Sequence, residues 1–125
     1  MKETITPSVA PAPIGPYSPI VHAHGALYFI SGQIALDEDG NLVGSTTAEQ
    51  TEQICRNIGV LLNAIGLDFE HVVKTTVYLR SMDDFSAMNA IYAKYFGASK
   101  PARTTVEVSR LPKDALVEID VIAVR

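Results

Sequence analysis

Cysteine is nearly absent from this sequence. Cys55 is the only one in 125 residues, so no disulfide can close within the chain and no thiolate cage can hold zinc. That usage fits a reducing compartment, and a cytoplasmic protein is expected. Basic charge is also short, with 10 Lys and Arg against 14 Asp and Glu, a net charge of -4 and a pI near 5.2. The sign is wrong for a domain whose main work is gripping phosphates, so no nucleic-acid partner is expected. Long apolar runs are missing: the longest, Ala26 to Ile30, has five residues, far below the roughly 20 of a membrane-spanning helix. No membrane partner is expected. Met1-Lys2-Glu3-Thr4 leads into prolines rather than an apolar core, so no secretory or transit peptide is expected either. Neither GxGxxG, a Walker loop nor HExxH occurs, which removes the common nucleotide enzymes and zinc proteases.

What remains is an ordinary globular mixture, 47% hydrophobic and 19% charged, unlike the polar profile of disordered chains. The length suits one domain spanning residues 1–125, able to bury a core without staples. Pro7, Pro11, Pro13, Pro16 and Pro19 predict an extended, irregular arm, since proline lacks the donor a central strand needs. Such an arm has to lie on something. Strand character from Ile20, broken at His24-Gly25 and resumed over Leu27–Ile30, predicts a hairpin. Thr46 with Glu49 forms a capping box, after which Ile54, Ile58, Leu61, Leu62 and Ile65 recur at helical spacing up to Gly66. Val72–Arg80 reads as a β-branched strand, and Ser81–Asp84 as the cap of a second helix ending at Gly97. Strands near Arg103–Ser109 and Leu116–Val124 follow, read as a second hairpin.

The order ββαβαββ predicts an α+β fold, a mixed sheet with two helices packed on one face. In the last strand Val117, Ile119, Val121 and Ala123 suit the helices. The opposite phase, Leu116, Glu118, Asp120, Ile122 and Val124, is too apolar for plain exposure and too acidic for a dry core. A subunit interface containing a polar pocket accounts for both properties, so an oligomer with sites between protomers is expected.

Few side chains offer chemistry. His22 and His24 share a strand face, but no third ligand accompanies them, and His71 reads as a loop residue; no metal site is expected. Cys55 sits in the first helix as a small buried hydrophobe rather than a nucleophile. Glycine in Ser31-Gly32-Gln33 marks a bulge or a close approach to the backbone. Arg103 and Glu118 fall on the last two strands. Paired as a hairpin, these would turn both side chains to one side, as an interfacial salt bridge or as a ligand site.

Several motifs carry a resemblance. Pro16-Tyr17-Ser18-Pro19, Ser31-Gly32-Gln33, Asn89-x-x-Tyr92 and Pro101-Ala102-Arg103-x-x-Val106-Glu107-Val108, followed by Leu111-Pro112 and Glu118, run nearly end to end. Together they resemble the Rid family of reactive-intermediate deaminases. The resemblance implies a chorismate-mutase-like α+β domain, a homotrimer with clefts between subunits, and hydrolysis of 2-imino acids such as 2-iminobutanoate and 2-iminopropanoate to 2-keto acids and ammonia. Carried over by position, it implies Arg103 as the holder of the substrate carboxylate and Glu118 as the residue that orients water. Tyr17 would be pocket wall, Ser31 and Gly32 would lend backbone contacts, and Asn89 and Tyr92 would shape the cleft. Thr105, an implied substrate contact, stands where deaminase members often carry cysteine: threonine serves equally if the position contributes only its main-chain carbonyl, and not if the thiol itself takes part.

The chemistry suits these residues. A guanidinium holds a planar carboxylate with two parallel hydrogen bonds, a geometry that lysine cannot copy. A carboxylate such as Glu118 can align water and take its proton, and no metal or organic cofactor is required. Two further readings use the same residues: a regulatory module that binds a keto acid with little turnover, and, ranked last on charge, an endoribonuclease.

Overall fold

The computed structural model describes residues 1–125. Six strands and two helices follow one another as β1 (Lys2–Ile5), β2 (Ile20–Ala23), β3 (Leu27–Gln33), α1 (Thr47–Ala64), β4 (Val72–Leu79), α2 (Phe85–Phe96), β5 (Ala102–Glu107) and β6 (Val117–Val124). The main sheet has the order β3-β6-β4-β5 and is mixed, with β6 antiparallel to β3 and β4, and β5 parallel to β4. This is the expected α+β architecture, with both helices on one face of the sheet.

Local chemistry sets the helix ends. The Thr46 hydroxyl accepts from the Glu49 N–H at 3.1 Å, and the Glu49 carboxylate accepts from the Thr46 N–H at 3.1 Å. The same carboxylate accepts from the Ser45 N–H at 3.0 Å and the Ser45 hydroxyl at 3.1 Å, and these donors, followed by those of Thr46, hold the Glu49 carboxyl below its usual range. At the other end Gly66 takes φ +76°, and the N–H groups of Gly66 and Leu67 return to the carbonyls of Asn63 and Leu62. Ile54, Cys55, Ile58 and Leu62 of α1 and Met88, Tyr92 and Phe96 of α2 pack on Val77, Leu79, Val117, Ile119, Val121 and Ala123 of the sheet. Truncating one of these, as in Ile119→Ala, costs about 2–5 kcal/mol.

Three expectations about strands are corrected. The chain gains a strand: Lys2–Ile5 precedes the prolines and pairs with β2, Glu3 opposite His22. Consequently β2 and β3 form no hairpin. At Gly25, φ +134°, the chain leaves the β1–β2 ribbon for the main sheet, and Leu27 pairs with Val124 of β6. The last two strands form no hairpin either, because β4 lies between β5 and β6. The connection through Leu111-Pro112 is long enough to step over one strand, and the βαβ unit β4-α2-β5 places β5 outside β4.

The face of the sheet away from the helices carries Phe29, 71% exposed, Val106, and the half-buried Glu118, Asp120 and Ile122. No helix is long and apolar enough to cross a membrane.

Candidate functional site

Arg103 lies at the start of the edge strand β5, opposite Thr75 in the parallel register. Thr75 faces the helices, and so does Arg103. Its Nη1 donates to Asn89 Oδ1 at 2.6 Å, and its guanidinium carbon lies 4.6 Å from the centre of the Tyr92 ring. Phe85 and Tyr17 complete an aromatic surround at 5.5 and 5.8 Å. Tyr92 is anchored in turn, its hydroxyl and that of Thr75 sharing a buried hydrogen bond of 2.7 Å. Burial lowers the Arg103 pKa, and the electron-rich rings oppose that shift; a guanidinium keeps its charge throughout. None of the chain's carboxylates pairs with it.

The proline-rich arm closes over this cation. Ser18 donates through its N–H to the Pro101 carbonyl at 3.3 Å and through its hydroxyl to the Lys100 carbonyl at 2.6 Å, which ties the arm to the residues just before β5. The result is a cavity of about 250 Å³ lined by Ile14, Gly15, Tyr17, Phe85, Arg103 and Thr105. The Thr105 Oγ1 is buried there without a hydrogen-bond partner.

Glu118 belongs to the opposite face. It sits level with Tyr78 of β4, between the inward-facing Val117 and Ile119. Burial, and secondarily the charge of Asp120, raises its pKa. On its other side runs β3, where Ile30 pairs with Val121 but Gln33 with Ile119, so one extra residue is accommodated at Ser31-Gly32. The expected bulge is present, and it has a second cause: a Cβ on Gly32 would overlap the Glu118 carboxylate. Ser31 and Gly32 also line a depression of about 300 Å³ with Phe29, Asp120 and Ile122.

The predicted residues therefore fall into two groups. Tyr17, Arg103 and Thr105 come together on the helix side of β5; Ser31, Gly32 and Glu118 come together across the sheet. The expectation that Arg103 and Glu118 pair across a hairpin and face the same side is corrected: β4 lies between their strands, and Arg103 is level with its inward-facing Thr75 whereas Glu118 is level with its outward-facing Tyr78. Asn89 and Tyr92, expected to pack and shape the cleft, both contact the guanidinium, their i, i+3 spacing on α2 turning them to one side. Phe85 and Tyr78 were missed, and only the phase shared with Glu118 pointed to Asp120.

The remaining candidates do not join either group. His22 lies 3.9 Å from Glu3, and His71 bonds to Asp68 at 3.0 Å. No three His, Cys, Asp or Glu side chains gather as a metal site would require. Burial pushes the Cys55 thiol up to about 12. The roomiest depression, about 460 Å³ beside α1, holds none of the predicted residues. Its Glu52 is already engaged by Lys94 and Tyr95.

The family described as Endoribonuclease L-PSP matches residues 7–125. This chain belongs to that family, the Rid family. A RutC family protein of Pyrococcus horikoshii is 52% identical over 98% of this chain and 98% of that protein. The mouse 2-iminobutanoate/2-iminopropanoate deaminase is 45% identical over 100% of this chain and 93% of its own length. Among solved structures, the Rid-family protein YyfB of Yersinia pestis superposes with a TM-score of 0.89 at 29% identity, covering 99% and 98% of the two chains. The Rid fold thus accounts for the two-helix, mixed-sheet architecture found here.

Proposed function

We propose that this Rid protein is a 2-iminoalkanoate deaminase, hydrolysing 2-iminobutanoate, 2-iminopropanoate and similar imines to the 2-keto acid and ammonia. One observation carries the reading: a half-buried guanidinium is fixed by Asn89 and three aromatic rings, faces a cavity, and has no carboxylate of its own. Such a cation is built for an anion supplied from outside. The similarity to deaminase-named relatives supports the same substrate class.

The active assembly in this proposal is a homotrimer. Arg103, Tyr17 and the Thr105 main chain of one protomer face Ser31, Gly32 and Glu118 of the next. The opposite facing of the two groups within a chain and the exposed apolar and acidic sheet face both support that arrangement. Arg103 holds the carboxylate and thereby aims the imine carbon. Glu118 aligns a water molecule and takes a proton as its oxygen attacks that carbon, giving a tetrahedral carbinolamine. Glu118 returns that proton to nitrogen and then accepts the hydroxyl proton as the C–N bond breaks, so the carbonyl forms and ammonia leaves, the last proton going to solvent. Only water is consumed. A carboxylate whose proton affinity is raised by burial suits this exchange better than an ordinary surface glutamate.

The test is a coupled assay that generates 2-iminobutanoate in situ, with keto-acid and ammonia release measured with and without the protein. Wild type should accelerate release. Glu118→Gln should lose about 10²–10⁴-fold in turnover while still binding 2-ketobutyrate. Wild type that binds the keto acid without accelerating release would overturn the enzyme reading in favour of a binding module.

A further inference from the structure

On the sheet face away from the helices, β6 presents two half-buried carboxylates in succession, Glu118 and Asp120, and β4 presents one phenol, Tyr78. By register Tyr78 stands directly opposite Glu118, yet its hydroxyl crosses diagonally and donates to Asp120 Oδ2 at 3.0 Å. Glu118 is left with no donor from its own chain. On its other side the glycine bulge of β3 brings backbone only, and a side chain there would displace the carboxylate. The other ionisable groups facing this stretch from β4 and its end are Lys74 and Arg80. The Lys74 ammonium is turned to Thr76, Thr104 and the Thr75 carbonyl, while Arg80 pairs with Asp114 at 3.8 Å. Neither neutralises the pair.

We propose that Tyr78 and Asp120 are positioning residues for Glu118: the phenol is committed to Asp120, which leaves Glu118 without an internal donor and beside a fixed negative charge. Two equivalent carboxylates are thereby made unequal. Asp120 is occupied by the Tyr78 hydroxyl, and Glu118, with no donor of its own, becomes the one that takes a proton from water. The inference rests on the proposed role of Glu118 as base, and it adds the two residues that confer that role. In the assembled cleft the partner subunit's Arg103 would be a cation common to every variant below, so it does not alter the sign of their differences.

The experiment follows the side-chain carboxyl carbons of Glu118 and Asp120 by ¹³C NMR across a pH series, alongside the pH dependence of turnover, in wild type, Asp120→Asn, Asp120→Glu and Tyr78→Phe. Asparagine keeps the shape and the acceptor for Tyr78 but removes the charge. The Glu118 midpoint should therefore move to lower pH, and the acid limb of turnover should move with it. Asp120→Glu should keep the Glu118 midpoint near wild type. Tyr78→Phe, which frees the Asp120 carboxylate to turn away, should move the Glu118 midpoint in the same direction as Asp120→Asn. A purely structural role would lower turnover at all pH values without moving the limb. A Glu118 midpoint unchanged in Asp120→Asn, or unchanged in Tyr78→Phe, would overturn the assignment. The carboxyl titrations decide this point even in a protein without imine turnover, an outcome that would count against the deaminase reading alone.

Discussion

Arg103 rests on Tyr92, guanidinium over ring at 4.6 Å, and the Tyr92 hydroxyl shares a hydrogen bond with Thr75 on the strand beside Arg103. The cation is thus fixed from beneath by a core residue of α2, while Asn89, one turn away on the same helix, fixes its rotation about the fork. An arginine this constrained has surrendered most of its conformational entropy before any ligand arrives, and a bound carboxylate does not have to order it.

Replacing Arg103 by lysine keeps the charge and discards the planar fork, the contact with Asn89 and the stacking on Tyr92. Keto-acid affinity and turnover should each fall about 10- to 100-fold, the equivalent of losing one or two charge-assisted hydrogen bonds. Calorimetric titration with 2-ketobutyrate checks the first and the coupled assay the second. Affinity equal to wild type would remove Arg103 from the ligand site.

At Gly32 a single added methyl group should act on Glu118. In Gly32→Ala the new Cβ competes with a carboxylate at the end of a flexible side chain, so Glu118 should swing away while the sheet persists. Turnover should fall about 10²-fold, as expected for a catalytic group displaced by an ångström. Thermal unfolding should show a folded protein, and a crystal structure of the variant should show Glu118 in a different rotamer.

The Cys55 thiol should be silent in the native protein. Burial pushes its pKa from 9.0 to about 12, so a thiol reagent at pH 8 should modify it only after unfolding. The unfolded chain releases this proton first, so the stabilising contribution is complete below about pH 9 and is lost as pH rises toward 12. Urea unfolding of wild type and Cys55→Ala across that window should show the alkaline loss reduced in the variant. Cys55→Ser, which buries a hydroxyl in the same place, should cost about 1–3 kcal/mol.

Local signals were legible in the sequence and long-range pairing was not. The Thr46–Glu49 box and Gly66 bracket α1 because caps are built from neighbouring residues, and the alternation in β6 assigned its inner face because period and pleat coincide. The pairing of β1 with β2 spans the whole proline-rich arm, and nothing in Lys2–Ile5 alone specifies it. In the same way, adjacent strands invited a hairpin reading of β5 and β6, and only the crossover through α2 decides that β4 lies between them. Within the site, Arg103 and Tyr17 were found from motifs. The contacts of Asn89 with Arg103 and of Tyr78 with Asp120 depend on strand and helix placement, which composition and spacing do not encode.

At one edge of the main sheet β5 carries Arg103 and Thr105, and at the other β3 carries Ser31 and Gly32 beside Glu118 of β6, so in the proposed assembly a chain has a donor end and an acceptor end rather than one self-complementary patch. Assemblies of that kind join head to tail and close as rings. In a ring of three, Arg103→Lys alone and Glu118→Gln alone should each keep only a small residual turnover, yet every mixed ring contains one junction at which both intact halves meet. Unfolding and refolding equal amounts of Arg103→Lys and Glu118→Gln together should therefore return roughly a quarter of the wild-type turnover. A site confined to one chain would return no more than the two variants show separately.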